Sequence, residues 1–120
     1  MTSNKRILIL ALTGLFSFSA LGALSYKVAS GSLISNDNTT LTFSSPVRNR
    51  LVVTNLTSGT VYYKLNDNTT TPTTSATSYH FALTQNTRQD FYQDELRELP
   101  VTSIGVFCAT TTPTTTIFGW

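Results

Sequence analysis

The sequence predicts an all-β protein, a small antiparallel β-sandwich of jelly-roll-like type with an apolar N-terminal arm that is extended or helical. Three observations predict it. Short runs of alternating apolar and polar residues recur from residue 39 to residue 120, and each is ended by Thr, Asn, Pro or Gly. After Leu24 no helical pattern is long enough to compete with them. Finally, 120 residues and 13.1 kDa fit one small domain plus an arm, which divides the chain into residues 1–34 as arm and 35–120 as sandwich.

The arm is the first element. After Lys5 and Arg6 come eighteen residues without a charge, ILILALTGLFSFSALGAL, residues 7–24. Ala20, Gly22, Ala23 and Ser25 offer the small residues of a secretory cleavage site. As a membrane span the stretch only just reaches the required ~17–25 apolar residues, and Thr13, Ser17 and Ser19 weaken it. The expectation carried forward is a segment retained from Met1 that packs on other subunits. Gly14 and the alternation Leu15, Phe16, Ser17, Phe18, Ser19 suit extended backbone. Its contact candidates are Ile7, Leu8, Leu10, Leu12, Leu15, Phe16, Phe18 and Leu21.

The strands follow in order. Residues 26–34 read as linker or first strand, and Asn36, Asp37 and Asn38 as a turn. Residues 39–43 form a strand that ends at Ser44, Ser45 and Pro46. Residues 48–55 and 60–65, around a turn at Thr57, Ser58 and Gly59, read as a hairpin with Val61, Tyr63 and Leu65 on one face. Residues 66–75 read as a polar loop too rich in Thr, Asn and Pro to bury. Tyr79, Phe81 and Leu83 supply the next inward face, and His80 and Ala82 point out. Residues 93–99 fit one helical turn, with Leu96 and Leu99 three apart and Pro100 as its stop. Residues 101–109 are the most apolar strand and take a central place, while residues 116–120 close the fold.

Composition narrows the function. Charged residues are 12% of the chain, about half the ~25% usual for soluble domains, and 23 Thr and 13 Ser supply most of the polarity. Such a surface loses little when a neighbour covers it. The net charge of +2 is scattered, without a basic run, so nucleic-acid binding is not predicted. Cys108 is the single cysteine, which rules out an intrachain disulfide. Cys108 and His80 lack a third orienting group, so Cys108 reads as core and His80 as a surface strand residue. Asp90, Asp94, Glu95 and Glu98, interleaved with Arg88 and Arg97, read as a salt-bridge patch. No catalytic residue, cofactor site or metal site is predicted, and the protein is expected not to be an enzyme. Arg48 and Arg50, expected on one side of a strand, and the terminal Trp120 are the contact candidates within the sandwich.

The runs RLVVTNLTSGTVYYKLN, SYHFAL, LPVTSIGVFCA and IFGW, with a Thr-rich loop after the first, resemble the small β-sandwich modules of tailed-phage virion proteins. These include capsid decoration or cement proteins and head- or neck-attached fibre subunits. The resemblance covers residues 47–120, and the charged DELRELP segment departs from it. It implies a noncatalytic, trimeric subunit in the virion, fixed to the major capsid protein or other virion proteins by its arm. The competing expectation is a membrane-anchored or exported surface-binding module. There Tyr62, Tyr79, Tyr92 and Trp120 would stack on sugars, and residues 7–24 would be a membrane span.

Overall fold

In the computed structural model of the protein, residues 27–28, 33 and 35–120 are described. The rest of the expected arm, including its eight contact candidates Ile7 to Leu21, lies outside the described residues. Among these described residues, eight strands and one short helix follow each other. They are β1 (Lys27–Val28), β2 (Asn38–Val47), β3 (Arg50–Asn55), β4 (Val61–Leu65), β5 (Phe81–Leu83), β6 (Thr87–Tyr92), α1 (Gln93–Glu98), β7 (Val101–Phe107) and β8 (Thr115–Gly119). Two four-stranded antiparallel sheets result, ordered β1-β8-β3-β6 and β2-β7-β4-β5. The pairs β1·β8, β2·β7, β3·β6 and β4·β5 are nested as in one long hairpin. Rolling that hairpin brings β3 onto β8 and β4 onto β7. This is the jelly-roll order, and the expected all-β sandwich is present.

Alternation sets the core. Along β3, Leu51, Val53 and Asn55 are buried, and Val61 and Tyr63 of β4, Ile104 and Val106 of β7 and Ile117 of β8 meet them from the other strands. Tyr63 stacks on Phe81 at 5.0 Å, and Phe81 meets Phe91 of the opposite sheet at 5.4 Å, so an aromatic bridge joins the layers. Burial pushes the Tyr63 phenol up to about 12 although Thr115 hydrogen-bonds it, so the group is neutral at physiological pH. Leu96 of α1 fills one end, whereas Leu99 is exposed.

Four readings of the sequence are corrected. The β3–β4 hairpin does not form, because the two strands belong to different sheets and residues 56–60 make a corner between them. Buried Asn55 holds that corner: its Nδ2 donates to the carbonyls of Gly59 (3.0 Å) and Leu83 (2.8 Å), and its Oδ1 accepts from the Thr57 N–H (2.7 Å). β2 runs through Pro46 to Val47, with a register shift between Thr42 and Val47 that lets an edge strand carry proline. Tyr79 is not inward. It stands 45% exposed before β5 and packs its ring on Tyr62 at 4.9 Å, outside the second sheet.

The fourth correction concerns residues 66–75, whose loop buries Asp67 and Thr74 against β7. Ser103 Oγ donates to the Asp67 carbonyl at 2.9 Å, and Gly105 leaves the space that Asp67 and Thr74 occupy. A Cβ at Gly105 would collide with Thr74 Oγ1 and with Asp67. Burial alone would raise the Asp67 carboxyl, but hydrogen bonds from the hydroxyls of Thr74 and Thr73 and the N–H groups of Thr73 and Asn68 outweigh it. Together they hold it at about 2. The central place expected for β7 is therefore correct, and its outer cover is a polar loop pinned by one carboxylate.

Candidate functional site

Because Leu51, Val53 and Asn55 face the core, Arg50, Val52 and Thr54 of β3 face outward. Register sets their neighbours. Arg50 is opposite Tyr92, Val52 opposite Asp90 on one side and Phe118 on the other, and Thr54 opposite Arg88 and Thr116. Arg50, Val52, Thr54, Arg88, Phe118 and Trp120 line a hollow of about 480 Å³ on this outer face.

Its charges are unevenly matched. Asp90 Oδ2 lies 3.5 Å from Arg50 Nη2 and 3.4 Å from Arg88 Nη2, so two guanidinium groups share one carboxylate oxygen at long range. The Arg50 guanidinium also sits 4.6 Å above the Tyr92 ring, a cation–π contact. Arg50 Nε and Asp90 Oδ1 are buried without hydrogen-bond partners. Both ends of this pair are under-satisfied.

At the lower rim of the hollow the three sandwich candidates meet. The N–H groups of Arg48, Asn49 and Arg50 all donate to the Trp120 carbonyl, at 3.2, 2.7 and 3.2 Å, and the Trp120 N–H donates to the Arg50 carbonyl at 3.0 Å. Three successive N–H groups converging on one oxygen form a backbone nest. Arg48 belongs to the turn between β2 and β3, so it does not share a strand face with Arg50 as the sequence had implied. Gly119 makes the closure possible: a Cβ there would come within 2.6 Å of Val47 Cγ2. The Gly-Trp terminus is thus a packing requirement at glycine and a clamp at tryptophan.

No family model, curated protein or solved structure matches the chain.

The remaining candidates are dispersed. Cys108 is buried in the core, whereas His80 is exposed and its Nδ1 accepts the Leu65 N–H at 3.0 Å. The acidic cluster is split, with Asp90 on the sheet beside Arg50 and Arg88 and with Asp94, Glu95 and Glu98 exposed on α1. Among the described residues no three His, Cys, Asp or Glu side chains are grouped to hold a metal ion, and no helix is long and apolar enough to cross a membrane. Asp67 was missed by sequence reasoning. The available signal was Gly105, since an isolated glycine inside an apolar strand marks a close approach by other atoms.

Proposed function

We propose that the protein is a non-enzymatic structural subunit of a virion, a capsid decoration or cement protein or a head- or neck-attached subunit. It docks on other virion proteins through residues 1–34 and assembles as a homotrimer. One topological observation carries the reading. Lys27 pairs with Gly119, so the chain preceding Lys27 leads to the end of the sandwich that also holds Trp120, the turn of Arg48 and the start of β3 at Arg50. The chain thus enters the sandwich at the end that holds its contact candidates Arg48, Arg50 and Trp120, and the opposite end is left to face outward.

Two further points support it. Jelly-roll sandwiches recur in viral capsid and lectin domains, an analogy at the level of fold. Trimeric assembly would present three arms at once, so that weak individual contacts add to firm attachment through effective concentration. The test is mass-spectrometric detection of the chain in purified virus particles, followed by add-back of purified protein to particles lacking it. Absence from particles, or failure of the full chain to rebind, would overturn the proposal.

A further inference from the structure

We propose that the free edge of β6 pairs antiparallel with β6 of a second copy of the chain, in the register that sets Arg88 opposite Asp90 of that copy. The inference goes beyond attachment to a particle and does not depend on it.

Edge protection comes first. Among the described residues the two sheets have four edge strands, β1 and β6 in one and β2 and β5 in the other. Native proteins shield such edges with short strands, proline or irregular register, because their outward N–H and C=O groups otherwise recruit another strand. β1 is two residues long and β5 three, and β2 carries Pro46 and a register shift. β6 has none of these devices. It runs six residues in unbroken register with β3, from the pair Tyr92 and Arg50 to the pair Thr87 and Asn55, and all six are exposed or half-buried.

The direction of the main-chain groups comes next. Arg50 and Trp120 exchange N–H and C=O bonds, so the main-chain groups of Arg50, Val52 and Thr54 point to β8 and those of Leu51, Val53 and Asn55 to β6. The Asn86 N–H, which donates to the Asn55 carbonyl at 2.7 Å, agrees. Opposite Leu51, Val53 and Asn55 stand Phe91, Gln89 and Thr87, which leaves the main-chain groups of Arg88, Asp90 and Tyr92 aimed away from β3. Gln89 Nε2 meets the Asp90 carbonyl there at 3.4 Å, a long contact that a strand N–H would improve on.

Charge then selects the register and the occupant. In an antiparallel pair of two β6 strands these outward groups must face each other, so the two-fold axis passes through a residue of the strand. An axis at Arg88 or Asp90 sets like charges directly opposite, and one at Phe91 or Tyr92 leaves Arg88 with no β6 residue opposite it. The axis at Gln89 sets Arg88 opposite Asp90 twice and Phe91 opposite Thr87. Trp120 lies on the far side of β3, so Arg88 and Asp90 are the charges that meet across this edge. The edge is complementary to itself, a property that pairing with a second copy requires. A two-fold contact is not one of the contacts of a three-fold ring, so in the proposed assembly it joins subunits of neighbouring trimers.

Gln89 on the axis forms a non-hydrogen-bonded pair, where Cα atoms stand ~4.5 Å apart and a disulfide can close. The native Cys108 is buried, so an introduced cysteine reports the contact. Under mild oxidation full-length Gln89→Cys should give a disulfide-linked dimer, and Thr87→Cys, exposed on the same strand but opposite Phe91, should not. Sedimentation equilibrium of wild type should show dimers, or hexamers where the three-fold contact also forms. Arg88→Asp should weaken this association at least about tenfold with circular dichroism unchanged, and Arg88→Lys, which keeps the charge, should stay within about threefold of wild type. Cross-linking of Gln89→Cys no faster than that of Thr87→Cys, or association unmoved by Arg88→Asp, would overturn the proposal. So would a wild type found only as monomer or trimer, which would leave the edge to residues 1–26 or to a different protein. Rebinding of the full chain to particles is a separate readout, so the two readings fail separately.

Discussion

Replacing Asp67 by asparagine tests the idea that one carboxylate pins the 66–75 loop over β7. The two carboxylate oxygens accept from the N–H groups of Asn68, Thr73 and Thr74 and from both threonine hydroxyls, at 2.6 to 3.1 Å. An amide keeps one acceptor and turns the other position into a donor facing donors. Buried N–H groups left without partners cost about 1–3 kcal/mol each, so Asp67→Asn should destabilise the protein by roughly 2–4 kcal/mol at neutral pH.

The pH dependence gives an independent magnitude. A carboxyl held at about 2 in the folded protein, against ~3.9 when unfolded, contributes roughly 2–3 kcal/mol. Its folded value is depressed, so this stability is fully present above the unfolded value and is lost as pH falls through the folded one. Urea titrations monitored by circular dichroism at pH 7 and near pH 2 measure both quantities. Wild type should lose its advantage over Asp67→Asn across the acid window, leaving the two similar at the low end. An advantage below about 0.5 kcal/mol at pH 7, smaller than the cost of one buried orphan donor, would refute the reasoning. So would a larger advantage unchanged near pH 2.

Three other perturbations have defined outcomes. Gly105→Ala places a methyl group where Asp67 and Thr74 sit, and should cost about 3 kcal/mol or more and speed proteolysis within residues 66–75. Asn55→Ala removes three hydrogen bonds from the inter-sheet corner and should cost about 2–4 kcal/mol in chemical denaturation. Tyr63→Phe should cost only about 1 kcal/mol, because Thr115 Oγ1 still donates to the Thr54 carbonyl at 2.9 Å; ultraviolet titration of wild type should show one tyrosine ionising near 12.

Local punctuation made most of the strands legible, because the clusters at Asn36 and Asp37, at Thr57 to Gly59 and at Pro100 also bound strands or the helix in the structure, whereas Pro46 does not, since β2 runs through it to Val47. The pairing of those strands was not local. The Thr57, Ser58 and Gly59 turn signal is compatible with a hairpin and with an inter-sheet corner. What separates them is Asn55, a polar residue in an inward position whose partners include Leu83, 28 residues away. Likewise, the polarity of residues 66–75 argued against burial until Gly105 supplied the space and Asp67 the hydrogen bonds. Within the site, Arg48, Arg50 and Trp120 were recognisable as candidates. Their mutual contact through a backbone nest, and the hollow completed by Arg88, depend on the registers of β6 and β8 on β3.

The central claim is attachment through the N-terminal segment, with the sandwich as the exposed body. It is tested most directly by comparing the full chain with a variant lacking residues 1–25 in binding to particles depleted of the protein. The account predicts that the truncated protein keeps the circular dichroism and urea midpoint of the sandwich and loses particle binding. Binding of the truncated protein equal to that of the full chain would contradict it.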